Sequence, residues 1–308
     1  MGNLGNRLRV DIADGLQLDN PIMTASGTFG YGDEFSNFVN LDRLGALVVK
    51  GISLKPRPGN PPPRIAETSC GMLNAIGLEN VGLEKFISDK MPFLRKIQAP
   101  VIVNILGETL EEYAALSENL NDIKGISAIE VNISCPNVKK GGVAFGTDPA
   151  MVFQVTAAVK SRTALPVIIK LSPNVTDITA TARAAEEGGA DAISLINTLM
   201  GMAIDHRSRR PRLANIIGGL SGPAIKPVAL RMVWQVANVV KIPIIGIGGI
   251  MTVEDVLEFM IAGASAVEIG TANLIEPDTT ERIIEGLHDY IEETGCRSIR
   301  EIIGSLQT

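Results

Sequence analysis

Cysteine is scarce in this 308-residue chain: Cys70, Cys135 and Cys296 lie far apart, with no CxxC pair. That spacing offers no zinc or iron-sulfur ligand set, and an odd, scattered count fits a reducing cytoplasm better than a disulfide framework. Long hydrophobic runs are missing too. No stretch approaches the ~18 apolar residues of a membrane span, and Arg7, Arg9, Asp11 and Asp14 stand where a signal peptide needs an apolar core. A cytoplasmic protein with no membrane attachment is expected. Met1-Gly2 begins like a myristoylation site, but Asn6 occupies the position that requires Ser or Thr. There is no excess of positive charge: the net charge of -6 argues against a general affinity for nucleic acid or anionic membrane. A dinucleotide fingerprint is absent, since Gly246 and Gly248 start a GxGxxG pattern that Met251 breaks. No tandem repeat or low-complexity tail is present.

What is present is a chain 45% hydrophobic and 20% charged, long enough to bury a large core. Short β-branched runs recur, each followed by a helix-compatible segment: Ile22 to Ala25, Ala46 to Lys50, Val101 to Ile105, Ala128 to Asn132, Val167 to Leu171, Ala192 to Ile196, Ile242 to Ile247 and Ala266 to Ile269. Eight such units predict an α/β fold, a (β/α)8 TIM barrel forming one domain over residues 1–308. The runs are nearly continuous in Val, Ile and Leu, as expected of strands buried on both faces. Helices are predicted over Leu110 to Leu120, Pro149 to Arg162, Asp177 to Gly188, Ile225 to Val240 and Val253 to Ile261. Two segments break the rhythm. Gly51 to Asn80 carries five prolines and is too long for an ordinary βα loop, and Asn197 to Gly222 carries the basic run Arg207 to Arg212. Both follow strands, which places them as inserts at the C-terminal face, where a barrel keeps its chemistry.

Polar residues end most of the predicted strands: Ser26, Lys50, Asn104, Asn132, Lys170 and Asn197. A barrel projects them toward one centre, and a lysine leaving an apolar strand is costly without a polar partner. The stretch Asn132-Ile133-Ser134-Cys135-Pro136-Asn137 puts a thiol between two amides at a strand mouth. That arrangement suits a planar polar molecule, although a lone cysteine is more often a small buried hydrophobe than a catalyst. Gly246 to Gly249 and Gly270-Thr271-Ala272 form glycine turns after strands seven and eight, joined by Ser221-Gly222 ahead of a helix. In barrels this is a common seat for a phosphate, because glycine lets backbone N–H groups approach closely. His206 and the arginine run read as loop, with no interleaved aromatics to suggest RNA. Trp234, at helical spacing from Leu230 and Ala237, reads as packing, and Cys70 and Cys296 read as structural.

In this order the motifs resemble the dihydroorotate dehydrogenases over essentially the whole chain, most closely the NAD-linked class 1B catalytic subunits. The carriers are Thr24 to Gly30, Val49-Lys50-Gly51, Gly71 to Leu78, Asn132 to Asn137, Ile169 to Asn174, Asn197-Thr198, Gly219 to Gly222 and the two glycine turns. The resemblance implies a barrel holding FMN at the strand ends and oxidising dihydroorotate to orotate in pyrimidine synthesis. By motif, the FMN contacts would be Ser26, Lys50, Gly51, Asn104, Asn132, Lys170, Ile196, Gly222, Gly248, Gly249, Gly270 and Thr271. The pyrimidine would be held by Lys50, Asn74, Ala75, Ile76, Gly77, Leu78, Asn132, Asn137, Asn197 and Thr198. Cys135 would be the catalytic base, where class 2 members carry serine, and no metal is implied. Class 1B further implies a second subunit carrying FAD and a [2Fe-2S] cluster, in a heterotetramer built on a homodimer of this chain, with electrons passing to NAD.

The residues agree with that chemistry. A free thiol is only a few per cent ionised at neutral pH, so Cys135 would rely on positioning, with Val138 to Gly146 as a lid hinged at Gly141-Gly142. Lys170 would stabilise an anionic reduced flavin. Other readings stay open: a fumarate-reducing class 1A homodimer, a dihydropyrimidine dehydrogenase-like flavoprotein, a dihydrouridine synthase-like RNA-binding protein, and a noncatalytic phosphate-binding barrel.

Overall fold

A computed structural model describes residues 7–134 and 145–307. A short antiparallel hairpin, β1 (Val10–Ala13) and β2 (Leu16–Leu18), leads into β3 (Ile22–Thr24). Seven further strands run parallel to β3: β4 (Leu47–Ile52), β7 (Val101–Ile105), β8 (Ala128–Asn132), β9 (Val167–Lys170), β10 (Ala192–Leu195), β15 (Ile244–Ile247) and β16 (Ala266–Ile269). Each pairs with its neighbour in chain order, and β16 returns to β3. The remaining seam closes between β3 and β4, where Thr24 N–H donates to Ala46 O at 3.3 Å and Gly45 N–H to Ile22 O at 2.8 Å. The result is the predicted barrel, with every predicted strand present. Strands β7, β9, β10, β15 and β16 are buried along their whole length, which is why the sequence runs are continuously apolar rather than alternating.

Helices wrap the outside. Short turns α1 (Gly82–Lys85) and α2 (Met91–Leu94) precede α3 (Leu110–Asn121), α4 (Pro149–Lys160), α5 (Ile178–Glu187), α6 (Lys226–Ala237) and α7 (Val253–Ile261). Thr109, Asp148, Asp177 and Thr252 cap α3, α4, α5 and α7 through their side chains, so these helices begin where the sequence places them. Gly246 lies inside β15 rather than in a turn, and a Cβ there would collide with the Phe259 ring of α7. The turn begins at Gly248. Past β16 come α8 (Ala272–Ile275) and α9 (Thr279–Thr294), which the sequence reading did not assign. The latter buries Ile283, Ile284, Leu287 and Ile291 on one stripe and ends at Gly295, whose φ of 71° is left-handed.

The two inserts form one structure. From the first come β5 (Ile65–Thr68) and β6 (Gly71–Asn74). The second supplies β11 (Leu199–Met202), a small pair β12 (Ile204–Asp205) and β13 (Arg210–Pro211), and β14 (Ile217–Ser221). Strands β11, β14, β6 and β5 make an antiparallel sheet in that order, with Gly219 opposite Asn74. The arginine run and His206 are exposed at the edge of this insert. Two sequence expectations fail here. Trp234 is 42% exposed, because α6 packs through Ala229, Met232, Val233 and Val236 and turns position 234 outward. Cys70 is an exposed free thiol rather than a packed one, although its carbonyl accepts the Ala224 N–H at 2.8 Å.

Candidate active site

The strand-end residues meet at the C-terminal mouth of the barrel in three linked groups. The first runs across β3, β4 and β7. Ser26 Oγ donates to Val49 O at 2.9 Å, and the half-buried Lys50 is fixed by its N–H to Gly30 O at 2.8 Å. Gly51 follows, and a Cβ there would lie 2.6 Å from Asn104 Oδ1, so glycine is what lets the Asn104 amide stand beside it.

Asn104 leads into the barrel interior. Its Nδ2 donates to Glu130 Oε2 at 2.5 Å, and Ser194 Oγ donates to Glu130 Oε1 at 2.7 Å. Lys170 Nζ lies 2.9 Å from Glu268 Oε2 and 3.4 Å from Glu130 Oε2. Glu130 and Glu268 are sealed from solvent, and Lys170 keeps only 5% exposure. For Lys170, burial works against the charge, but the two carboxylates outweigh it and hold the ammonium above its ordinary range. Burial likewise opposes ionisation of Glu130, yet the Lys170 charge and its hydrogen bonds leave that carboxyl below the ordinary range. In Glu268, burial and then the Glu130 charge push the carboxyl well above the ordinary range. Glu130 and Glu268 are not among the site residues the sequence predicts. The signal was available: each is the lone charged residue inside its strand, in Ala-Ile-Glu-Val-Asn and Ala-Val-Glu-Ile.

The second group is an array of amides. Asn132 stands opposite Lys170 in the β8–β9 register. Its Oδ1 accepts from Asn197 Nδ2 at 3.2 Å and from Ser134 N–H at 3.1 Å, which directs its NH2 group away from these partners. Asn197 Oδ1 accepts the Thr198 N–H at 2.8 Å. Thr198 packs against Gly219, where any Cβ would strike its hydroxyl, and Asn74 Nδ2 donates to Gly219 O at 3.4 Å. The insert sheet therefore links Asn74 to the barrel asparagines through Gly219 and Thr198. Ala75 to Leu78 are secured differently, with Ala75 N–H on Arg64 O at 2.8 Å and Ile76 O accepting from Asn60 N–H at 2.9 Å. Ile196 is buried with its N–H on Ile247 O at 3.0 Å.

The third group gathers the glycine turns. Thr271 Oγ1 donates to Ser221 Oγ at 2.9 Å. Gly222, Gly248 and Gly249 adopt φ of 92°, 128° and 74°, and a Cβ on Gly249 would lie 3.0 Å from Gly222 O. The Gly222 and Gly248–Gly249 turns thus approach at a distance that glycine favours, and Thr271 ties the third turn to them through Ser221. Gly270 precedes Thr271 against Ala25 and Thr28.

Cys135, Asn137 and residues 138–144 of the expected lid lie outside the described residues. Its last two residues belong to the frame instead: Phe145 and Gly146 are buried, with Gly146 N–H on Ile133 O at 2.8 Å. Tyr113 fixes the same point, donating from its hydroxyl to Asn132 O at 2.7 Å and meeting Phe145 edge-on at 5.9 Å. Tyr113→Phe is expected to cost about 1–3 kcal/mol in urea unfolding, the range for stranding a buried polar group; a change below about 0.5 kcal/mol would show that the hydroxyl does not hold this corner.

The chain matches the family described as dihydroorotate dehydrogenase over residues 7–291. Relatives named dihydroorotate dehydrogenase B (NAD(+)), catalytic subunit, include that of Geotalea uraniireducens, 58% identical over 301 residues, which covers 98% of this chain and 98% of the relative. The Geobacter metallireducens protein is 60% identical over 300 residues, with 97% and 98% covered. That of Pelobacter propionicus is 60% identical over 293 residues, with 95% and 96% covered.

Proposed function

The chain belongs to the dihydroorotate dehydrogenase family of oxidoreductases, and from that premise we propose that it oxidises dihydroorotate to orotate at the barrel mouth, using FMN as cofactor. The observation that carries the reading is the continuous contact path from Asn132 through Asn197, Thr198 and Gly219 to Asn74. Amides alternate donors and acceptors, which is the pattern a pyrimidine ring presents, and a site of this kind rejects analogues that leave its amides unpaired.

The residues present fit a phosphorylated flavin. The three glycine turns with Ser221 and Thr271 make a backbone-lined seat for a phosphate. Lys170, held charged at the end of β9, offers the cation that an electron-accepting ring favours. FMN supplies the hydride acceptor when bound. Ser26, Lys50, Gly51, Asn104, Asn132, Lys170, Ile196, Gly222, Gly248, Gly249, Gly270 and Thr271 would hold it. Lys50, Asn132, Asn197, Thr198 and the segment Asn74 to Leu78, together with Asn137, orient the substrate ring. Cys135 removes the C5 proton; the fixed turn Asn132 to Ser134 that precedes it supports this role.

Electrons leave through a second subunit carrying FAD and a [2Fe-2S] cluster, on to NAD, in a heterotetramer built on a homodimer of this chain. The relatives' own description as catalytic subunits supports a separate electron-transfer subunit. Among the described residues no helix is long and apolar enough to cross a membrane, which is compatible with a cytoplasmic enzyme. A single catalytic domain over residues 1–308 completes the proposal.

Anaerobic mixing tests it. Dihydroorotate is expected to bleach the bound flavin within one turnover, and orotate, not uracil, is expected to shift its spectrum. Reduction by dihydrouracil with no response to orotate would transfer the chain to the dihydropyrimidine dehydrogenase-like reading. An isolated homodimer that turns over with fumarate would overturn the NAD route.

A further inference from the structure

The flavin reading uses Lys170 but leaves Glu130 and Glu268 without a role. Both are completely enclosed, at 0% and 1% exposure, and neither reaches the surface or the amide array. Their environments differ. Glu130 receives bonds from Asn104, Ser194 and Lys170. Glu268 receives one from Lys170, and its Oε1 meets no donor among the described residues while the carboxyl interacts with Glu130. One ammonium, 2.9 Å from Glu268 Oε2 and 3.4 Å from Glu130 Oε2, cannot balance two carboxylates that converge on it inside a barrel, because like charges held that close do not both ionise. A proton between them resolves both facts: it restores neutrality and turns the unpaired carboxyl into a donor.

We infer that Glu130 and Glu268 are positioning residues for the reaction, sharing one proton, clamping the Lys170 ammonium at the barrel mouth and so fixing the charge that Lys170 presents to the flavin. Only the last step rests on the flavin reading. Either carboxylate can carry the single negative charge, so neutralising one leaves the balance intact, whereas neutralising both strands the ammonium. This redundancy separates a positioning pair from two independent structural bonds, whose losses would add.

Infrared spectra of the FMN-loaded protein in H2O and D2O test the shared proton. The unaltered protein is expected to show a buried carboxylic acid C=O band that disappears in Glu268→Gln and also in Glu130→Gln, because the remaining carboxylate ionises against Lys170. No such band in the unaltered protein, or its persistence in either single variant, overturns the shared proton. Ser194→Ala removes one bond and no charge. It keeps this arm readable if the glutamine variants do not fold, and is expected to retain the band; loss of the band there counts against the pair.

The second arm equilibrates the flavin with a dye of known potential. The ratio of reduced to oxidised FMN is expected to change less than about threefold in each single variant. It is expected to fall at least about tenfold in Glu130→Gln/Glu268→Gln, where the ammonium has lost both counter-charges and gives up its proton. An unchanged ratio in the double variant, or equal falls in singles and double, overturns the positioning role. Failure of the unaltered chain to bind FMN would defeat the flavin reading alone, since the infrared arm can be run on the flavin-free protein.

Discussion

Replacing Cys135 with alanine is expected to leave FMN bound and to slow its reduction by dihydroorotate about 10²- to 10⁴-fold, the usual contribution of a positioned general base. A free thiol has a pKa near 8.5, so geometry has to supply what acidity does not. The described frame is suited to that. Ser134 N–H is fastened to the Asn132 side chain at 3.1 Å, Tyr113 fastens the Asn132 carbonyl at 2.7 Å, and Gly146 closes the stem on Ile133 at 2.8 Å. Truncating one sulfur beside so fixed a stem should remove the proposed base without loosening the amide array of Asn132 and Asn197. Stopped-flow reduction in a single anaerobic turnover, with flavin content measured in parallel, separates chemistry from binding. A variant reduced at the original rate would remove Cys135 from the mechanism.

Lys170→Met is expected to cost about 3–5 kcal/mol of folding stability, because it leaves buried carboxylates with no counter-charge. The loss should depend on pH, with a defined sign. In the unaltered protein Glu130 is held below the ordinary carboxylate range, so its contribution is present above that range and fades as pH falls. Glu268 is held above the range; its contribution is present at low pH and is lost as pH rises past the ordinary glutamate value. Without Lys170 the first effect disappears and both carboxyls behave like the second. The folded variant then binds more protons than its unfolded chain, and its stability should fall as pH rises through the window above the ordinary glutamate value. Urea midpoints taken from mildly acidic to neutral pH measure this. A deficit under about 1 kcal/mol with no pH trend would mean that the cluster relaxes freely, against the cost expected of an unpaired buried charge.

The barrel was legible because strands buried on both faces leave uninterrupted apolar runs, and Val101–Ile105, Ala128–Asn132 and Ala266–Ile269 match their sequence boundaries. Strand ends were legible for a related reason: polarity resumes where a strand meets the site. The insert sheet was not. Its strands Gly71–Asn74 and Ile217–Ser221 are short, glycine-bearing and half-buried, and they pair across roughly 145 residues, so no local pattern announces them. Glu130 and Glu268 escaped notice because each looks like a defect in an apolar run. Only the closed barrel puts them beside the same lysine. Helix Thr279–Thr294 carries an amphipathic pattern and a terminal glycine and follows the eighth strand, where a (β/α)8 barrel calls for a helix, yet it stands outside the predicted helices.

The antiparallel sheet made by the two inserts bears on how such a barrel can be re-engineered. Strand β14 touches the amide array at Gly219 and the glycine turns at Ser221, two residues further along, while its partner β6 delivers Asn74 from the other insert. Neither insert can be exchanged for that of another barrel by itself. Half a transplant would slip the register, and a slip of one residue would turn Asn74 to the opposite face and displace both neighbouring sites together. The two inserts form a single cassette encoded in two pieces, so new ring specificities should be sought by grafting both at once or by changing side chains within the existing pair.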